Sequence, residues 1–125
     1  MTLDALKKYT FLYMAGPYSL YPAGIEQAFI DHCRIAAELV RDGVHVYSPV
    51  AHTHPIAVHG DIEPLNHEFW MKFNRAAMKV SKALVIVELP GWEESVGVEQ
   101  ERLAFARMGK PIYYLDPDSL ELTSA

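Results

Sequence analysis

The chain has 125 residues, is 50% hydrophobic and carries 16 acidic against 11 basic side chains, for a formal net charge of -5. This composition excludes intrinsic disorder and predicts one domain over residues 1–125, with a core large enough to need no disulfide or metal staple. The acidic balance argues against nucleic-acid polymers and anionic membranes as partners, no apolar run nears the length of about 18 residues that crosses a bilayer, and the lone Cys33 forms no internal disulfide, so a cytoplasmic protein is expected.

Short continuous apolar runs alternate with helical periodicity, as a parallel sheet covered on both faces requires. Residues 10–15 form the first expected strand and end at Gly16-Pro17, where extended backbone must turn. A helix follows, with Ile25, Ala28, Phe29, Ala36, Leu39 and Val40 on one stripe and Asp42-Gly43 as its stop. Residues 44–48 make a second strand closed by Pro49, and residues 50–64, rich in histidine and carrying Pro55 and Pro64, read as a long functional loop. Leu65, Phe69, Phe73, Ala76, Ala77 and Val80 mark a second helix, and residues 83–89 a third strand. Pro90-Gly91-Trp92 breaks the chain before a third helix over residues 95–108, ended by Gly109, and residues 111–115 make a fourth strand. The last ten residues read as a polar tail, loose or docked on a partner.

Open parallel sheets bind ligands beyond the C-terminal ends of their strands. The segments Gly16-Pro17-Tyr18-Ser19, residues 49–54 and residues 90–97 converge there. At about 100° per residue, Val98, Glu101, Ala104, Phe105 and Met108 share one stripe of the third helix, which puts a carboxylate where a core residue belongs. Burying it costs several kcal/mol unless it is paired or used, so a paired structural glutamate and a catalytic one are the two readings. Ser95 and Gly97 open the same helix with a hydroxyl and free N–H groups, which suits an anion as well as an ordinary cap. The glycine-rich fingerprints of nucleoside-triphosphate and dinucleotide binding are absent.

Taken in order, Tyr13-Met14-Ala15-Gly16-Pro17-Tyr18-Ser19, Ser48-Pro49, His52-Thr53-His54-Pro55 and Leu89-Pro90-Gly91-Trp92-Glu93-Glu94-Ser95-Val96-Gly97, leading to Glu101 and Gly109-Lys110-Pro111, resemble the nucleoside 2-deoxyribosyltransferase-like superfamily, nearest to its small bacterial and phage branch. The resemblance implies that Glu101 attacks the anomeric carbon of a deoxyribosyl group and expels the base, as in a retaining glycosidase. It implies that Ser95, six residues before the nucleophile, and Gly97 hold a 5′-phosphate, as in deoxynucleotide N-hydrolases, and that Tyr13, Gly16, Tyr18 and Ser19 surround the sugar and phosphate. Where relatives carry an aspartate that positions the nucleoside or protonates the leaving base, this chain has Asn74, and a second aspartate is replaced by Lys82. A homodimer or higher oligomer is implied as well.

His52, His54, His59, Asp61, Glu63 and His67 crowd one stretch of sequence, but their spacing matches no zinc motif. The expected fold is α/β, a single flavodoxin-like or Rossmann-like parallel sheet of four or five strands with helices on both faces. The expected activity is cleavage of the N-glycosidic bond of a 2′-deoxynucleoside 5′-monophosphate or related nucleotide, without cofactor or metal. Glu101, Tyr13 and Asn74 form the expected catalytic set, and Gly16, Tyr18, Ser19, His52, His54, Trp92, Ser95 and Gly97 the expected substrate contacts, His52, His54 or Trp92 meeting the base. A nucleotide-binding module without catalysis and a histidine-loop metal hydrolase are the alternatives.

Overall fold

A computed structural model describes all 125 residues. Its strands are β1 (Leu12–Ala15), β2 (Val46–Tyr47), β3 (Ala83–Val87), β4 (Ile112–Leu115) and β5 (Leu122–Ser124). Its helices are α1 (Ile25–Arg41), α2 (Pro49–His59), α3 (His67–Val80) and α4 (Val96–Arg107). β1 and β3 are wholly buried, as continuous apolar runs at the centre of a parallel sheet should be. The sheet order is β2-β1-β3-β4-β5, the flavodoxin-like order, so the direction of winding reverses between β1 and β3. Ala28, Ile35 and Leu39 of α1 join Leu3 and Leu6 of the N-terminal turn over one face of the sheet. Met71 and Met78 of α3 and Val98 and Phe105 of α4 cover the other. No helix is long and apolar enough to cross a membrane.

The structure departs from the sequence expectation in three places. The histidine-rich stretch is largely helical: Ser48 caps α2 by accepting a 3.2 Å hydrogen bond from the Ala51 N–H, and Pro49 occupies the first turn, where its missing N–H costs nothing. Pro55 lies inside this helix and hid it from the pattern. The polar tail is also structured. Asp116 Oδ1 accepts from the N–H groups of Asp118 and Ser119 at 2.9 Å each, turning the chain back so that β5 pairs antiparallel with β4 and buries Leu122. Finally, α3 buries Trp70, Met71, Asn74 and Met78 rather than the stripe of Leu65, Phe69, Phe73 and Val80, which is about half exposed or more. The helix is apolar on two sides, and periodicity alone selects the wrong one.

Candidate functional site

One cleft opens at the C-terminal edge of the sheet, beside the β1/β3 switch. Gly16, Tyr18 and Ser19 from the loop after β1, and Pro49, Val50 and Thr53 from the start of α2, form one side. Pro64, Leu65, His67, Trp70, Met71 and Asn74 from α3 and its approach form another, and Ser95, Gly97 and Glu101 come from α4. Tyr13 lies behind Glu101, fully buried between Tyr47 and Phe105. His54 stands behind Tyr18, and its Nδ1 is 2.6 Å from the Tyr18 hydroxyl. His52 and Trp92 do not line the cleft: His52 stacks on Phe73, and Trp92 packs on Tyr114. Lys82 precedes β3 and so sits at the opposite edge of the sheet from the cleft.

Glu101 is 6% exposed. The Tyr13 hydroxyl donates to its Oε2, the one hydrogen bond the protein makes to this carboxylate. Burial pushes the Glu101 carboxyl up to about 7, against the opposing pull of the Tyr13 hydrogen bond. Burial first, then the neighbouring Glu101, holds the Tyr13 phenol well above its ordinary range, so tyrosine is the proton donor of the pair. Asn74 is buried and its Oδ1 has no partner, a polar atom left without compensation on the cleft wall.

The N-terminus of α4 is arranged for an anion. Ser95 Oγ accepts from the Val98 N–H at 3.2 Å, which leaves its own hydrogen to donate, and the N–H groups of Val96 and Gly97 have no intrahelical acceptor. A β-carbon at Gly97 would come 3.4 Å from Cε1 of His67 and 3.9 Å from Ser95 Oγ, narrowing this end of the cleft. Nε2 of His67 is 2.7 Å from Gln100 Oε1.

His32 is a further residue of this region, standing on the apolar stripe of α1 at four-residue spacing from Ala28 and Ala36. It is fully buried, and its Nε2–H donates to the Pro17 carbonyl at 3.0 Å. Burial holds it down to about 4, so the ring is neutral at physiological pH. A β-carbon at position 16 would lie 2.7 Å from His32 Cε1, so the loop beside the cleft takes its course only with glycine there. The crowded histidines and carboxylates do not meet: no three His, Cys, Asp or Glu side chains converge as metal ligands, and His54 commits both ring nitrogens to Tyr18 and Glu26.

No functionally curated protein matches the chain. Residues 10–116 match the model of a family described as Domain of unknown function (DUF1937). As that match runs from β1 through β4 and takes in every residue lining the cleft, the chain belongs to the DUF1937 family.

Proposed function

We propose that the protein cleaves the N-glycosidic bond of a 2′-deoxynucleoside 5′-monophosphate or a related nucleotide, with Glu101 as nucleophile and with no cofactor. The observation that carries this reading is a buried carboxylate on the cleft, with one oxygen held by tyrosine and no further protein hydrogen bond. The substrate class comes from the resemblance to the nucleoside 2-deoxyribosyltransferase-like superfamily.

In this reading Glu101 Oε1 attacks C1′ through an oxocarbenium-like transition state, and the base leaves with the electron pair of the C1′–N bond. Water then attacks C1′, Glu101 departs as carboxylate, and the water's proton balances the charge on the base, giving free base and deoxyribose 5-phosphate. Tyr13 orients the carboxylate by donating to Oε2. Ser95 and the N–H groups of Val96 and Gly97 receive the phosphate, while Gly16 and Ser19 border the sugar. Asn74 offers an amide where an acid would assist the leaving base, which favours slow turnover and supports, as second reading, a nucleotide-binding module without catalysis.

Chromatography of free bases released from a panel of deoxynucleotides and deoxynucleosides tests both. Base release that Glu101→Gln abolishes, with binding retained, is expected. Release undiminished in that variant overturns the nucleophile, and binding without release in the wild type favours the module.

We also propose a homodimer formed through α3. Phe69, Phe73 and Val80 expose an apolar face along this helix. Glu68 lies in its first turn and Lys79 in its last, so two copies crossing antiparallel about a two-fold axis bring opposite charges together.

A further inference from the structure

Tyr18 is the cleft-facing member of three side chains joined in series. Its hydroxyl lies 2.6 Å from Nδ1 of His54, and Nε2 of the same ring lies 2.8 Å from Oε2 of Glu26. The three come from the loop after β1, from α2 and from α1, so only the folded chain connects them. The His54 side chain is 3% exposed and stacks on Phe29, with centroids 4.7 Å apart, which fixes the plane of the ring. Glu26 is 71% exposed and does not line the cleft.

With the ring neutral, the chemistry of each group sets the direction of both hydrogen bonds. A carboxylate only accepts, so Nε2 of His54 carries the ring hydrogen and donates it to Glu26. In a neutral imidazole Nδ1 is then an acceptor, and the only hydrogen available to it is that of the Tyr18 hydroxyl. The phenol keeps that hydrogen, because burial first, and then the carboxylates of Glu26 and Glu63, push Tyr18 up to about 12. A hydroxyl has one hydrogen. With it committed to His54, Tyr18 shows the cleft only lone pairs.

We propose that Glu26 and His54 are positioning residues that lock Tyr18 as a hydrogen-bond acceptor toward the cleft, so that this corner takes a hydroxyl or amino group of the ligand and turns an anion away. The ligand's identity rests on the nucleotide reading above, which the inference deepens: the phosphate is left to the Ser95 end, and Tyr18 meets either the sugar 3′-hydroxyl or an exocyclic amine of the base.

Two measurements on the full chain test this. The first needs no ligand: nitrogen-15 spectra of the His54 ring should show hydrogen on Nε2 and none on Nδ1. Glu26→Gln, whose amide donates as well as accepts, should release that preference. A wild-type ring protonated on Nδ1, as tautomer or as imidazolium, overturns the proposal. The second compares dissociation constants for deoxyadenosine 5′-monophosphate, its 3′-fluoro analogue and the analogue lacking the 6-amino group, in the Glu101→Gln background to prevent turnover. Loss of the donor that Tyr18 reads should weaken binding about tenfold, and whichever analogue shows it identifies hydroxyl or amine as the source. That penalty should vanish on adding Tyr18→Phe and shrink on adding Glu26→Gln, although Glu26 is remote from the ligand. Equal binding of all three ligands overturns the acceptor role of Tyr18. Binding of none overturns the nucleotide reading instead, and the relay then stands or falls on the His54 spectrum.

Discussion

In the proposed reaction, one atom of Asn74 sets the rate. Its amide is buried on the cleft wall with Oδ1 unpartnered, and it has no acidic proton to offer a departing base. Asn74→Asp keeps the volume and supplies a carboxyl that burial and the nearby cleft acid favour in its protonated form, the state a general acid needs. Base release is therefore expected to rise about a hundredfold, with little change in affinity. Steady-state rates of wild type and variant on one deoxynucleotide across a pH series check this, and unchanged turnover would show that the proton reaches the base by another route. Glu101 was legible in the sequence because a charge stood in an apolar stripe. His32 stood in its stripe as plainly, four residues from both Ala28 and Ala36 on α1, but an imidazole there is less conspicuous than a carboxylate. The series of Glu26, His54 and Tyr18 was not legible, because His54 lies 28 and 36 residues from its two partners and only the packing of α1 against α2 joins them.

At the scale of elements, α4 and its cap bring Ser95, Gly97 and Glu101 to the cleft. Its cap residue Ser95 holds the first turn through Oγ and, in the proposed reading, donates to the phosphate with the same hydroxyl. Ser95→Ala should then do two separable things. It should lower unfolding stability by about 1 kcal/mol through loss of the cap. It should also reduce the preference for a nucleoside monophosphate over its nucleoside about tenfold, the worth of one charge-assisted hydrogen bond. The ratio of kcat/KM for the two substrates reads the second effect independently of the first, and a ratio unchanged in the variant would remove Ser95 from the phosphate site. The start of α4 was readable because serine, the glycine two residues later and the returning apolar period agree. α2 carried a start of equal quality in Ser48-Pro49, but Pro55 and the scattered histidines broke the period that would have continued it. In α3 the period was clear and its meaning was not: Phe69 and Phe73 form as regular a stripe as Met71, Asn74 and Met78, and the packing against α4 and the sheet chose the second.

At the scale of the molecule, the parallel sheet and the position of the cleft follow from alternating strands and helices, which leave the strand order open, while β5 escapes because Leu122 is its one buried residue. The apolar α3 face makes the oligomeric state testable: light scattering should give twice the chain mass, and Phe69→Lys should give monomers with the fold retained. A monomeric wild type would leave α3 without the proposed partner. The fold and the proposed chemistry also pull in opposite directions with pH. Glu101 rises from the ordinary carboxylate value of 4.5 to about 7 in the folded chain, so between those values the folded state binds more protons than the unfolded one. Its contribution to stability is full below 4.5 and is lost as pH rises through about 7. His32, lowered from 6.5 to about 4, has the opposite slope across most of that window, with stability lost as pH falls, so the two offset each other in the wild type. Glu101→Gln removes one and keeps the other. Its stability relative to wild type should climb by about 1.4 kcal/mol per pH unit between 4.5 and 7 and then level off, measured by denaturant unfolding without ligand. Over the same range kcat/KM of the wild type should increase with pH, because only the ionised carboxylate attacks. A stability difference that is flat in pH would mean that Glu101 enters the folded state already ionised.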